Sequence, residues 1–107
     1  MTEPGRIDFS ALSPVSHDAG VRDREASVGG TRWALVEYAP GCGRADWCET
    51  PHAGVVLGGT LEYAFEDGRE PLVLAAGDGF VLPEAPRHRG RNPGAEPARL
   101  FIVDALP

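Results

Sequence analysis

Glycine and proline cut this chain into runs too short for ordinary helices. Pro40-Gly41, Gly58-Gly59, Asp67-Gly68, Ala76-Gly77, Pro83, Gly90 and Asn92-Pro93 punctuate the sequence. Glycine supplies positive φ at turns and proline stops strands and helices, so each of these is a place where the chain changes direction. Between them lie short runs rich in aliphatic, β-branched and aromatic residues, with no apolar repeat at helical spacing. A chain punctuated in this way is restricted to many short strands joined by tight turns.

Residues 33–39, Trp-Ala-Leu-Val-Glu-Tyr-Ala, read as a strand closed by Pro40-Gly41. Residues 54–57 form a second run, and residues 60–65 a third in which Leu61, Tyr63 and Phe65 alternate onto one face. The Asp67-Gly68 pair predicts a type I′ hairpin, with residues 72–74 returning antiparallel. Residues 80–82, 86–89 and 100–103 supply the remaining strands. With 14 glycines and 10 prolines in 107 residues, the composition agrees with one all-β domain, an antiparallel sandwich or barrel. Residues 1–30 are polar and turn-rich, and read as an N-terminal arm with an edge strand at residues 7–9, Ile-Asp-Phe, ahead of a barrel over residues 31–107.

A net charge of -6 repels phosphate backbones, which excludes nucleic acid as an expected partner. No apolar run approaches a membrane span, and the start Met1-Thr2-Glu3-Pro4 lacks the basic and apolar pattern of a secretory signal. The expectation is a cytoplasmic protein without a membrane contact. Its two cysteines, Cys42 and Cys48, are then free thiols or metal ligands rather than a disulfide. Cys42 reads as a small half-buried hydrophobe.

Gly77, Pro83, His88 and Asn92 stand six, five and four residues apart, with Ala85 between the proline and the histidine. This spacing resembles the second signature of the cupin family, small β-barrels that commonly bind a metal, except that the family usually has glycine at Ala85. The family's first signature has two histidines one residue apart, then a glutamate, then a glycine seven residues on. Counting back from Gly59 in Val56-Leu57-Gly58-Gly59 puts His52 at the glutamate place and Cys48 and Asp46 at the histidine places. Ala45-Asp46-Trp47-Cys48 also resembles a cupin subgroup with a cluster of Asp, His, Trp and Cys. The resemblance covers residues 33–104 and implies an antiparallel double-stranded β-helix, the cupin or jelly-roll barrel, and a homodimer.

The residues themselves point the same way. Asp46 and Cys48 are two apart, so in an extended segment they share a face. His88 lies between Arg87 and Arg89, and alternation that turns the arginines to solvent turns the histidine inward. Asp46, Cys48, His52 and His88 are therefore the candidate metal ligands. A thiolate, two imidazoles and a carboxylate suit zinc, while copper, iron and nickel follow behind it, copper because Met1, the only methionine, is poorly placed as an axial ligand. The expected function is a small zinc-dependent enzyme of isomerase, cyclase or lyase type, acting on a small polar molecule inside the barrel. Asp46 is either the fourth ligand or a catalytic base. A non-catalytic module that senses a metal or small ligand is the alternative.

Overall fold

Alternating apolar residues and tight turns produce nine strands in the computed structural model, which describes residues 4–106. They are β1 (Val15–Asp18), β2 (Val21–Val28), β3 (Thr31–Tyr38), β4 (His52–Gly58), β5 (Thr60–Phe65), β6 (Leu72–Ala75), β7 (Gly79–Leu82), β8 (His88–Arg91) and β9 (Ala98–Ala105). One sheet runs β1-β2-β3-β9-β4-β7 and the other β6-β5-β8, with every pairing antiparallel. This is the expected jelly-roll architecture.

The period of two decides what each strand buries. On β9, Ala98, Leu100, Ile102 and Asp104 point inward while the residues between them are less buried. On β3, Ala34, Val36 and Tyr38 do the same. Leu61, Tyr63 and Leu74 come from the smaller sheet to complete one core, and each large aliphatic side chain buried there contributes roughly 1.5–3 kcal/mol. Asn92 is fully buried, yet every polar atom of its side chain is used: Nδ2 donates to the Tyr38 and Glu96 carbonyls and Oδ1 accepts from the Gly94 N–H. That explains why an asparagine stands at this point of the sequence.

Three expectations are corrected. The edge strand expected at residues 7–9 is not formed, and Phe9–Ala11 is instead a single 3-10 turn. The second half of the expected arm is ordered sheet, because β2 pairs with β3 over eight consecutive positions. Its sequence, Val-Arg-Asp-Arg-Glu-Ala-Ser-Val, hid this: the inward row carries Asp23 and Glu25, so no apolar alternation marks it. Finally, the β5–β6 connection is not a two-residue type I′ turn. The last paired residues are Tyr63 and Leu72, Gly68 alone has positive φ there, and Asp67 does not. β5 runs on to pair with β8 as far as Phe65, and the Glu66 N–H donates to the Arg87 carbonyl, which holds those residues away from β6.

Met1 lies outside the described residues, as does the start of the chain through Glu3. Among the described residues no helix is long and apolar enough to cross a membrane.

Candidate metal centre

Cys48 is placed by the edge of β8. The segment before β4 bridges back to that strand at Gly43–Arg91 and Cys48–His88, and Cys48 and His88 exchange two backbone hydrogen bonds of 2.8 and 2.9 Å. His88, the first residue of β8, turns inward between Arg87 and Arg89 and is 2% exposed. His52 opens β4 from the facing sheet, with its ring largely buried. The sulfur of Cys48 and one ring nitrogen each of His52 and His88 lie within 4.8 Å of one another. Cys48 Sγ is 3.7 Å from His52 Nε2, close to the separation of about 3.5 Å that a tetrahedral zinc imposes between sulfur and nitrogen ligands.

His88 supplies the test of fit. Both of its ring nitrogens are buried and neither has a hydrogen-bond partner among the described residues. A buried imidazole left in that state costs about 1–3 kcal/mol, and a coordinated ion removes the cost. A thiol and a second imidazole stand within reach, so the residues present fit a soft or borderline divalent metal.

His52 is held by a hydrogen bond of 2.8 Å between its Nδ1 and Asp104 Oδ2. Asp104 is itself gripped by Arg32 through two bonds of 2.9 and 2.7 Å. The register makes this possible, because Arg32 and Asp104 are cross-strand partners on β3 and β9, and β9 lies beside β4. With Nδ1–H committed to the carboxylate, the Nε2 lone pair faces Cys48 and can serve as a ligand. Burial raises the Asp104 carboxyl, but the hydrogen bonds from Arg32 and His52 outweigh it and hold the group ionised below the usual range.

Burial pushes His88 down to about 4, with the nearby His52 acting in the same direction. Burial also lowers His52, against the pull of Asp104. Both rings are therefore neutral at pH 7, the form in which imidazole binds a metal.

Asp46 is not brought into the group. The chain bends at residues 45–46 and the extended alternation with Cys48 is broken, so the Asp46 carboxylate is exposed at the rim of the same cavity. That cavity holds about 330 Å³, and besides the three converging residues its walls include Tyr38, Tyr63, Trp47 and Arg44. The arginines around His88 are engaged by separate partners. Arg87 pairs with Glu66 and Arg91 with Glu62, while the Arg89 guanidinium stacks 4.3 Å over the Trp47 ring. Cys42 is partly buried against the core, away from this group.

Sequence reasoning missed Arg32 and Asp104. A signal for Asp104 existed, since it is the one charged residue on the inward row Ala98, Leu100, Ile102, Asp104. Its bond to His52 depends on which strands are neighbours, and no local pattern carries that.

The sequence profile of the family described as "Cupin domain" matches residues 34–104. Among curated proteins there is no match. The fold is similar to AerE from Microcystis aeruginosa at a TM-score of 0.76 and 23% identity, covering 90% of this chain and 46% of that one. It is similar to a sugar phosphate isomerase of the cupin superfamily from Silicibacter pomeroyi at 0.76 and 16%, covering 96% and 76%. It is similar to the polyketide cyclase RemF from Streptomyces resistomycificus at 0.82 and 14%, covering 98% and 81%. The chain spans about half the length of AerE, and identities this low carry the fold alone.

Proposed function

Because this chain belongs to the cupin domain family, as the match over residues 34–104 shows, we propose that its barrel holds one zinc ion on Cys48, His52 and His88 and acts as a small metal-dependent enzyme of isomerase, cyclase or lyase type. The observation that carries the reading is the pair of buried ring nitrogens on His88, without a partner among the described residues and set beside a thiol and a second imidazole. One thiolate and two imidazoles favour zinc over the oxygen-preferring manganese and magnesium. A sphere of three protein ligands leaves a position for substrate, and the adjoining cavity has room for a small polar molecule.

When bound, zinc supplies Lewis-acid polarisation of a substrate oxygen. The chain's own residues do the rest. Asp104 and Arg32 fix the orientation and tautomer of His52. Burial pushes the Tyr38 phenol up to about 12 and that of Tyr63 well above its ordinary value, so both stay protonated in the cavity wall as hydrogen-bond donors. In this reading Asp46, exposed at the rim, takes a proton from a bound substrate rather than holding the metal. The same fold serves a sugar phosphate isomerase and a polyketide cyclase, so it can accommodate reactions of these classes. We further read the protein as a cytoplasmic homodimer, on its two free cysteines and on the apolar outer face of the larger sheet, where Val81 and Leu57 are exposed.

The test is elemental analysis. Protein purified without chelator is expected to carry close to one equivalent of zinc, Cys48→Ser to lose most of it, and Cys42→Ser to keep it. Protein that stays metal-free after incubation with zinc overturns the reading, and equal retention in the two variants removes Cys48 from the ligand set.

A further inference from the structure

A second group of potential ligands lies at the β1 edge of the larger sheet, and it shares no ligand with the centre described above. His17, Asp23 and Glu25 each direct one donor atom into a volume in which all three atoms lie within 4.8 Å of one another. Asp23 and Glu25 are two apart on β2 and face inward, opposite Val36 and Ala34 of β3. His17 reaches them because the β1–β2 register slips between Ser16 and Asp18, a bulge that re-aims the residue between them.

The division of carboxylate oxygens is informative. Arg32 Nη1 takes one oxygen from each acid, Glu25 Oε1 at 3.2 Å and Asp23 Oδ2 at 4.0 Å. The other two oxygens turn to His17 Nε2, Asp23 Oδ1 at 3.0 Å and Glu25 Oε2 at 3.9 Å. Asp23 is 5% exposed, and its Oδ1 has no aligned hydrogen bond among the described residues despite the short approach of the ring. A buried carboxylate oxygen without an aligned donor calls for a partner, and a cation where the three donor atoms converge would supply one.

Charge balance supports the same conclusion. Three carboxylates, Asp23, Glu25 and Asp104, converge on a single guanidinium, that of Arg32. The acids outnumber that one guanidinium, and a divalent cation would offset the excess of negative charge.

We propose that His17, Asp23 and Glu25 form a second divalent-cation site, distinct from the cysteine-containing centre. Its donor set, one imidazole and two carboxylates, is harder than the first and suits Mn²⁺ or a similar ion. In this arrangement the cation and Arg32 share the two acids, and Arg32 continues to Asp104 and so to His52. The second ion would thus brace the support of the first centre without touching it.

The experiment uses the whole chain loaded with zinc and titrated with Mn²⁺, following free Mn²⁺ by electron paramagnetic resonance and the three histidine rings by NMR. The expected result is one bound Mn²⁺, with the His17 ring signals broadened ahead of those of His52 and His88. His17→Gln, a change at a partly exposed site, and Glu25→Gln are each expected to weaken Mn²⁺ binding by about tenfold or more with the circular dichroism spectrum unchanged. No Mn²⁺ bound, equal affinity in wild type and both variants, or earlier broadening of His52 and His88 overturns the proposal. If zinc fails to load, a freely reactive Cys48 thiol reports it, and the His17 readout still stands by itself.

Discussion

His88 shows what burial does to a titratable residue. Its folded value near 4 lies below the unfolded value near 6.5, so between those limits the unfolded chain binds a proton that the native protein refuses. Stability from this group is complete above about pH 6.5 and is lost as pH falls toward 4, at most roughly 3 kcal/mol. Chelator-treated protein is therefore expected to show a falling denaturation midpoint across that window, and His88→Gln a much flatter profile. Identical profiles would mean that His88 is solvated rather than buried. Asp104 is the second residue whose role is sharp. Asp104→Asn keeps the shape but removes the charge that fixes His52 and answers Arg32, and zinc affinity measured by chelator competition is expected to fall about 10–100-fold. Neither role could be read locally: the sequence marks His88 as inward, but not that its ring lacks a hydrogen-bond partner among the described residues.

At the scale of elements, close strand packing places the ligands. Gly54 sits on β4, two residues after His52, where an added Cβ would collide with the Phe101 carbonyl oxygen and press on the Phe80 ring. Gly54→Ala is expected to destabilise the fold by about 1–3 kcal/mol or more in denaturant titration, with zinc lost as β4 shifts. Wild-type stability in that variant would show that β4 and β9 can separate without cost. The strands themselves were legible where apolar residues alternate, as in residues 60–65. They were illegible in β2, whose inner face is built from acids instead of aliphatics. The segment carrying Asp46 and Cys48 was read as extended, and it is so only at its bridged ends, Gly43 and Cys48. The bend between them is why these two candidates part company.

At the scale of the molecule, the outer face of the larger sheet stands out. Trp33, Val103, Ala53 and Val81 line up in register across β3, β9, β4 and β7, and Leu35, Phe101 and Val55 form the row beside them. Val81 is 77% exposed and Trp33 and Leu57 are exposed as well, an apolar surface of the kind that a second copy covers. The protein is expected to be a dimer by light scattering at micromolar concentration, and Val81→Arg to make it a monomer with its zinc content intact. A wild-type monomer, or a Val81→Arg variant that remains dimeric, would rule this face out.

Local pattern was enough for the class of fold and for the candidates for the centre. Turn residues and the strand period of two act over a few neighbours, and the Gly77, Pro83, His88, Asn92 spacing is a local record of one turn and one strand. Tertiary structure alone decided that Cys48, His52 and His88 meet while Asp46 stays outside, that Arg32 and Asp104 hold His52, and that His17 joins Asp23 and Glu25. Each of those facts depends on strand order, register or a bulge. These are set by how two sheets pack over one core, and that packing energy is summed across residues far apart in the chain.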